Sequence, residues 1–235
     1  MIFLRSLLFL LWFAAITLLL GTLALPLLLG PRKAALWLSQ SWAWATLWGL
    51  KIFAGIDARI TGTVPKAPVL VAAKHMSTWD TLAIHLALGD PGIVLKRSLL
   101  WIPFFGWYVG KTSAIPIDRG AGAAALRSMA RAAEKVLGEG RPVVIFPEGT
   151  RKKPDAAPDY KPGVAGLYSQ LGVACVPVAL NSGRYWCGFW KRPGTITLAF
   201  LEPIPPGLKR AEFMAILQER IETVTAALLI PVLER

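Results

Sequence analysis

The sequence predicts an α/β fold: a mixed, mostly parallel sheet flanked by helices and preceded by an N-terminal two-helix membrane anchor. Two patterns carry this expectation. From Ser6 to Gly30 the chain reads SLLFLLWFAAITLLLGTLALPLLLG without a charge, and about 20 apolar residues suffice to cross a hydrocarbon core. Beyond Ile56, short β-rich apolar runs alternate with helical stretches, the pattern of a sheet covered by helices. The expected division is a membrane-associated two-helix segment over 1–55 and an α/β domain over 56–235. A chain of 235 residues holds one ordinary domain plus such an appendage, at roughly 100 to 200 residues per domain.

The first apolar stretch is longer than the roughly 7 to 15 residues of a cleaved signal's apolar core, and it lacks a clear small-x-small cleavage site. After Pro31, Arg32 and Lys33 comes a second uncharged stretch, AALWLSQSWAWATLWGL. It contains Ser39, Gln40 and Ser41 together with Trp37, Trp42, Trp44 and Trp48, and tryptophan favours the membrane interface. Two arrangements stand open: a transmembrane hairpin, or a wedge lying in one leaflet with its tryptophans at headgroup depth. Arg5, Arg32, Lys33 and Lys51 flank both segments. If both span, the remainder faces the side on which the chain starts, and the basic body favours the cytoplasmic side.

Hydrophobic residues make up 54% of the chain and charged residues 17%, and the formal net charge is +12. Such a balance suits a chain in contact with lipid and an anionic partner: nucleic acid, an anionic lipid surface or a phosphorylated substrate. The hydrophobic helices, and the absence of a helix-turn-helix or RNA-binding aromatic pattern, argue against nucleic acid. Cys175 and Cys187 are the only cysteines, with neither CxxC spacing nor a nearby His cluster, which argues against a disulfide framework or a metal site. A reduced, cytoplasmic setting is the simpler expectation.

Within the body, strands are expected at PVLVAAK (68–74), GIVLK (92–96), SAIPID (113–118), PVVIFP (142–147), ACVPVAL (174–180) and TITLAF (195–200). Helices fit Thr78 to Leu88, Gly122 to Gly138, Val164 to Gly172 and Lys209 to about Leu229, the last an amphipathic helix packing on the sheet. RKKPDAAPDYKP is a loop. In open α/β sheets ligands gather beyond the carboxyl ends of the strands. His75 follows one such end, Asp118 and Arg119 a second, Glu148 to Arg151 a third and Asn181 a fourth, which suggests a shared site.

The stretch KHMSTWDT sets two readings side by side. Ser77 and Asp80 fit a capping box, in which Ser77 caps a helix and the acidic residue reaches back; His75 is then a loop residue. Alternatively His75 is a general base whose second ring nitrogen is held by Asp80, which fixes the tautomer. The two are compatible. No GxSxG elbow accompanies the pair, so the nucleophile would be the substrate's own hydroxyl. In VVIFPEGTRKK a buried strand ends at Pro147 and releases Glu148, Gly149, Thr150 and Arg151 at the surface, where Gly149 lets backbone approach an anion and Arg151 can grip phosphate. A plain turn with a solvated basic loop fits the same residues. Arg119 is either a phosphate ligand or a surface partner of Asp118. In VLKRSLLWIPFFGW, Lys96 and Arg97 precede aromatic residues, which read as core packing of Phe104, Phe105 and Trp107 or as the wall of an acyl groove. His85 falls within a helix and reads as packing or a local hydrogen bond.

In this order, these motifs resemble the glycerolipid acyltransferase family, and particularly bacterial 1-acyl-sn-glycerol-3-phosphate acyltransferases. The resemblance covers roughly residues 65–205. The H-x4-D block appears as His75 to Asp80, the F-P-E-G-T-R block as Phe146 to Arg151, the I-D-R block as Ile117, Asp118 and Arg119, and the V-P-V block as Val176 to Val178. The hydrophobic N-terminal pair is similar to the family's membrane-anchoring helices. One position departs: Lys74 stands where the family often has Asn, an extra cation that could aid phosphate binding.

The resemblance implies His75 as general base and Asp80 as its partner, with Glu148, Gly149, Thr150, Arg151, Arg119 and Lys96 holding a glycerol phosphate. It implies direct acyl transfer from acyl-CoA or acyl carrier protein to the 2-hydroxyl of lysophosphatidate, with no metal, no cofactor and no covalent enzyme intermediate. Membrane lipid is the implied partner, and the cytoplasmic side of a bacterial inner membrane the implied location. Two other activities stay open: acylation of another lysolipid such as lyso-ornithine lipid, and non-catalytic binding of anionic lipid.

Overall fold

The computed structural model describes residues 1–112, 114–118 and 122–230. Helix α1 (Ile2–Leu23) passes through a short 3₁₀ turn, Leu25–Leu28, to α2 (Arg32–Gly49), with Pro31 at its N-cap. A final turn, Leu50–Ala54, stops at Gly55, whose left-handed φ of 69° suits glycine. From there the chain enters β1 (Ile56–Thr61).

The body then runs β2 (Leu70–Ala73), α3 (Thr78–Leu88), β3 (Gly92–Lys96), α4 (Phe105–Lys111), β4 (Ile115–Ile117), α5 (Gly122–Gly138) and β5 (Val143–Ile145). It continues through α6 (Gly163–Leu171), β6 (Cys175–Leu180), a single turn α7 (Ser182–Tyr185), a hairpin of β7 (Trp186–Cys187) and β8 (Trp190–Lys191), β9 (Gly194–Phe200) and α8 (Arg210–Leu229). The large sheet has the order β1-β9-β6-β2-β5-β3-β4. Every neighbouring pair in it is parallel except β6 and β9. The mixed, mostly parallel sheet expected from sequence is therefore present.

Strand β1 is the strand of the large sheet that the sequence reading missed; α4, α7 and the β7–β8 hairpin were not expected either. In β1, Ile56, Ala58 and Ile60 alternate with Asp57, Arg59 and Thr61, yet only Ile56 is buried. An edge strand paired on one side alone can carry this polarity, whereas central strands of a parallel sheet are apolar on both faces. Strand β2 shows the central case: Leu70 and Ala72 point into one core, Val71 and Ala73 into the other. The first core is closed by Met129 and Ala133 of α5, Leu167 of α6 and Phe213, Leu217 and Ile221 of α8, the α8 residues spaced four apart as one face of a helix requires. The second is closed by Trp79 and Ile84 of α3, by Leu50 and Ala54, and by Phe9 of α1.

The N-terminal helices are fastened to this body. Trp12 donates to the Ala45 carbonyl at 2.9 Å and Trp42 to Thr17 Oγ1 at 3.0 Å, joining α1 to α2. Toward the start of α1, Ser6 Oγ accepts the Lys191 amide at 2.9 Å; toward its end, Gly21 O accepts from Tyr108 OH at 3.3 Å. Helix α2 is held by Arg32 on Asp90 (2.8 and 2.5 Å) and by Gln40 on the Gly89 carbonyl (2.6 Å). Among the described residues, α1 is the one helix long and apolar enough to cross a membrane, and little of it is buried. The segment around Phe104 divides. Phe104 sits at φ 61° in a tight turn closed by Phe105 N–H on Pro103 O (2.7 Å) and packs with α1 and α2, while Trp107 is half exposed.

His85 Nε2 lies 3.0 Å from Ser39 Oγ, so this histidine joins α3 to α2 by a hydrogen bond. Burial holds its pKa below the ordinary 6.5, a shift that Asp90 only partly opposes. The folded chain thus binds the proton less readily than the unfolded chain. Its contribution to stability is complete above about pH 6.5 and is lost as pH falls through the lower folded-state value. Thermal melts should show an acid-side destabilisation that shrinks in His85→Gln, and an equal acid response in both proteins would remove His85 as its source.

Candidate active site

Strand β2 delivers His75 at the carboxyl edge of the sheet, two residues past its last residue, Ala73. Ser77 is the N-cap of α3: its hydroxyl accepts from Trp79 N at 3.2 Å, and Asp80 reaches back to the Ser77 amide at 2.8 Å. The capping box is therefore present, and the pairing of His75 with Asp80 is present beside it. Asp80 Oδ2 lies 3.0 Å from His75 Nδ1 and also accepts the Met76 amide at 2.6 Å. One carboxylate performs both tasks.

The proton positions follow from this network. Oδ2 already accepts two backbone amides, so toward His75 it is the acceptor and Nδ1 the donor, and in the neutral ring Nε2 is then the accepting nitrogen. Asp80 is fully buried and its other oxygen, Oδ1, accepts from Ser182 Oγ, which in turn accepts from Ser77 Oγ at 2.9 Å. The imidazole stacks on Phe146, with centroids 4.0 Å apart, and its side chain stays 13% exposed. A buried, multiply hydrogen-bonded acceptor thus holds a partly exposed imidazole in one orientation.

The loop after β5 holds the backbone of His75 from both sides. Glu148 Oε2 accepts the His75 amide at 3.1 Å, and Lys152 N donates to the His75 carbonyl at 2.8 Å. Gly149 closes a turn onto Phe146 O (2.9 Å) with φ 66°, a left-handed value that a side chain would strain. Thr150 and Arg151 follow on the exposed side of this turn. The two sequence blocks, 74 residues apart at Lys74 and Glu148, thus form one constellation.

Two expectations are corrected here. Glu148 is not released at the surface: it is 1% exposed, and its carboxylate is taken by the His75 amide and by Lys74 Nζ at 2.8 Å. Lys74, read as an extra cation for phosphate, is itself 2% exposed and also pairs with Glu222 of α8 at 2.7 Å. Tyr160 OH donates to the same Glu222 oxygen at 2.9 Å, and burial together with Glu222 pushes the phenol pKa up. A parallel strand's inner row explains this, because the residue after Ala73 still points into packed protein, where a charge needs a partner.

Lys96 ends β3 at the same carboxyl edge, exposed and paired in register with Ile117, and Asp118 follows β4. Arg119 lies outside the described residues. Asn181 faces elsewhere: its amide accepts from Thr197 N (2.8 Å) and donates to Leu228 O (3.1 Å), tying β9 to α8. Its neighbour Ser182, whose hydroxyl donates to Asp80, is a residue of this network that sequence reasoning missed. The strand-end rule reaches its position, but a lone serine carries no motif. Among the described residues, no group of three or more His, Cys, Asp or Glu could hold a metal ion.

Breaking a buried ion pair by removing one partner costs roughly 3 to 5 kcal/mol, because the other charge is left uncompensated. Lys74→Met should therefore lower unfolding stability by about that amount in a denaturant titration, and Lys74→Met with Glu148→Gln should recover part of it. A Lys74→Met protein as stable as the parent would show that the pair has no such role.

Comparison with known proteins places this geometry. The Acyltransferase family profile matches residues 56–181. A 1-acyl-sn-glycerol-3-phosphate acyltransferase of Pseudomonas aeruginosa is 36% identical over 161 residues, covering 67% of this chain and 63% of that protein. The chain thus spans less than two thirds of that relative's own length. A lyso-ornithine lipid O-acyltransferase of the same organism is 29% identical over 185 residues, 70% of each chain. The crystal structure of the 1-acyl-sn-glycerophosphate (LPA) acyltransferase PlsC from Thermotoga maritima matches with a TM-score of 0.79 over 98% of this chain and 99% of that one; at 23% identity this establishes a shared fold. With the profile spanning more than half of its length, the chain belongs to the Acyltransferase family.

Proposed function

We propose that the protein transfers an acyl group from a thioester, acyl-CoA or acyl carrier protein, to the 2-hydroxyl of 1-acyl-sn-glycerol 3-phosphate, giving phosphatidate for phospholipid synthesis. The single observation that carries this reading is the 3.0 Å contact of His75 Nδ1 with buried Asp80 beside the turn bearing Gly149, Thr150 and Arg151. His75 Nε2 takes the proton of the lysolipid hydroxyl as its oxygen attacks the thioester carbonyl. The C–S bond breaks, the new ester C–O bond remains, and the imidazolium returns its proton to the departing thiolate. Asp80 stabilises that imidazolium, and proton transfer by a base so placed typically contributes about 10²- to 10⁴-fold.

Thr150, Arg151, Arg119 and Lys96 are the proposed phosphate ligands, with the Gly149 turn shaping the loop's approach to the anion. Glu148 serves by holding His75 and not by touching phosphate. Attachment of α1 to the body at both Ser6 and Gly21 supports a helix lying in one leaflet, with its exposed leucines in lipid, and the basic body supports the cytoplasmic face. The relative named lyso-ornithine lipid O-acyltransferase keeps a second acceptor in view, one whose use of the same base would leave the phosphate ligands without a role.

The test is thiol release and product mass in detergent, with 1-oleoyl lysophosphatidate and either thioester. Phosphatidate should form, and His75→Ala should lower the rate by at least about 10²-fold. Conversion of lyso-ornithine lipid alone would move the acceptor assignment, and an undiminished His75→Ala rate would end the general-base reading.

A further inference from the structure

We propose that the β7–β8 hairpin, through Phe189 and Trp190, is a separate lipid-contacting tip that enters the same leaflet as α1. The hairpin has a two-residue loop, Gly188–Phe189, with Gly188 at φ 57°, so Phe189 is projected at the turn itself. Phe189 is 39% exposed and Trp190 48%, large values for aromatic rings in a folded body. They lie edge to face at 5.2 Å.

Continuity with α1 identifies the occupant. Phe3, near the start of that helix and 58% exposed, contacts Phe189 at 5.7 Å and Trp190 at 6.3 Å between ring centroids. The three rings form one patch that runs into the exposed Ile2 and Leu4 of an apolar helix. Arg5 and the exposed Arg192 lie two residues from this patch along the chain, cations suited to anionic headgroups. A protein partner would have to cover the same apolar face that α1 gives to lipid.

The underside of the tip supplies the second argument. Bare carbonyls are costly in lipid, where no water satisfies them. Here Lys191, 5% exposed, turns its ammonium inward and donates to Gly188 O at 2.5 Å and Phe189 O at 3.0 Å. The same ammonium sits 4.7 Å from the Trp186 ring and 5.6 Å from that of Phe9 on α1. The turn thus presents rings outward while its carbonyls are paired from below. Lys191 also ties the hairpin to α1 through its amide on Ser6, so tip and helix share one depth.

The experiment places an environment-sensitive nitrobenzoxadiazole label at Phe189→Cys, and separately at Trp190→Cys, in the full chain with Cys187→Ser. Buried Cys175 stays unlabelled. A control label goes at Glu134→Cys, exposed on α5, which covers the opposite sheet face. The proteins are reconstituted in vesicles of equal parts phosphatidylethanolamine and phosphatidylglycerol. Emission at the tip should shift to the blue and be quenched severalfold more by lipids brominated in their acyl chains than emission at Glu134→Cys. Equal quenching at tip and control overturns the proposal. So does a blue shift that appears without vesicles and grows with protein concentration, the mark of a second copy on the tip. Neither outcome depends on acyl transfer, so failure here is separable from failure of the proposed reaction.

Discussion

The carboxylate of Asp80 is the point on which the site rests. It is fully buried and receives the amides of Met76 and Ser77, the hydroxyl of Ser182 and the Nδ1 hydrogen of His75. Hydrogen bonds to a charged group contribute about 1.5 to 3 kcal/mol each, and these donors hold the carboxylate in one position. The same bonds begin α3 and fix the turn that carries His75. Helix initiation and orientation of the His75 ring are consequently one structural event, because one carboxylate both caps α3 and holds Nδ1.

A second buried cluster supports the first from below. Lys74, Glu148, Glu222 and Tyr160 draw the loop after β5, the carboxyl-terminal helix α8 and the end of β2 onto one ammonium. Buried charges are expensive and are retained only where hydrogen bonds complete them. Glu148 here orders the backbone amide of His75, which links α8, through Glu222 and Lys74, to the turn that carries His75.

Packing of α1 follows the same economy of attachment. Phe9 completes the second core, and Ser6 and Gly21 anchor the helix near its two ends, while Leu11, Leu18 and Leu19 remain exposed. A helix fastened to the rest of the chain near both of its ends keeps any lipid-facing side at a fixed distance from the site.

The sequence alone determined the parts governed by local rules. Apolar runs such as GIVLK and CVPVAL appear as β3 and β6, because strands buried on both faces must be apolar throughout. The span Thr78 to Leu88 and its Ser77 cap are encoded within a dozen residues, and His75 and Asp80 are near enough in sequence for their pairing to be anticipated. Tertiary structure decided what depends on neighbours remote in sequence. It turned Glu148 and Lys74 inward, brought Ser182 to Asp80 across 102 residues, and paired β1 with β9 at the sheet edge. Burial and long-range hydrogen bonding are properties of surroundings, and a residue's type does not carry them until the sheet brings those surroundings together.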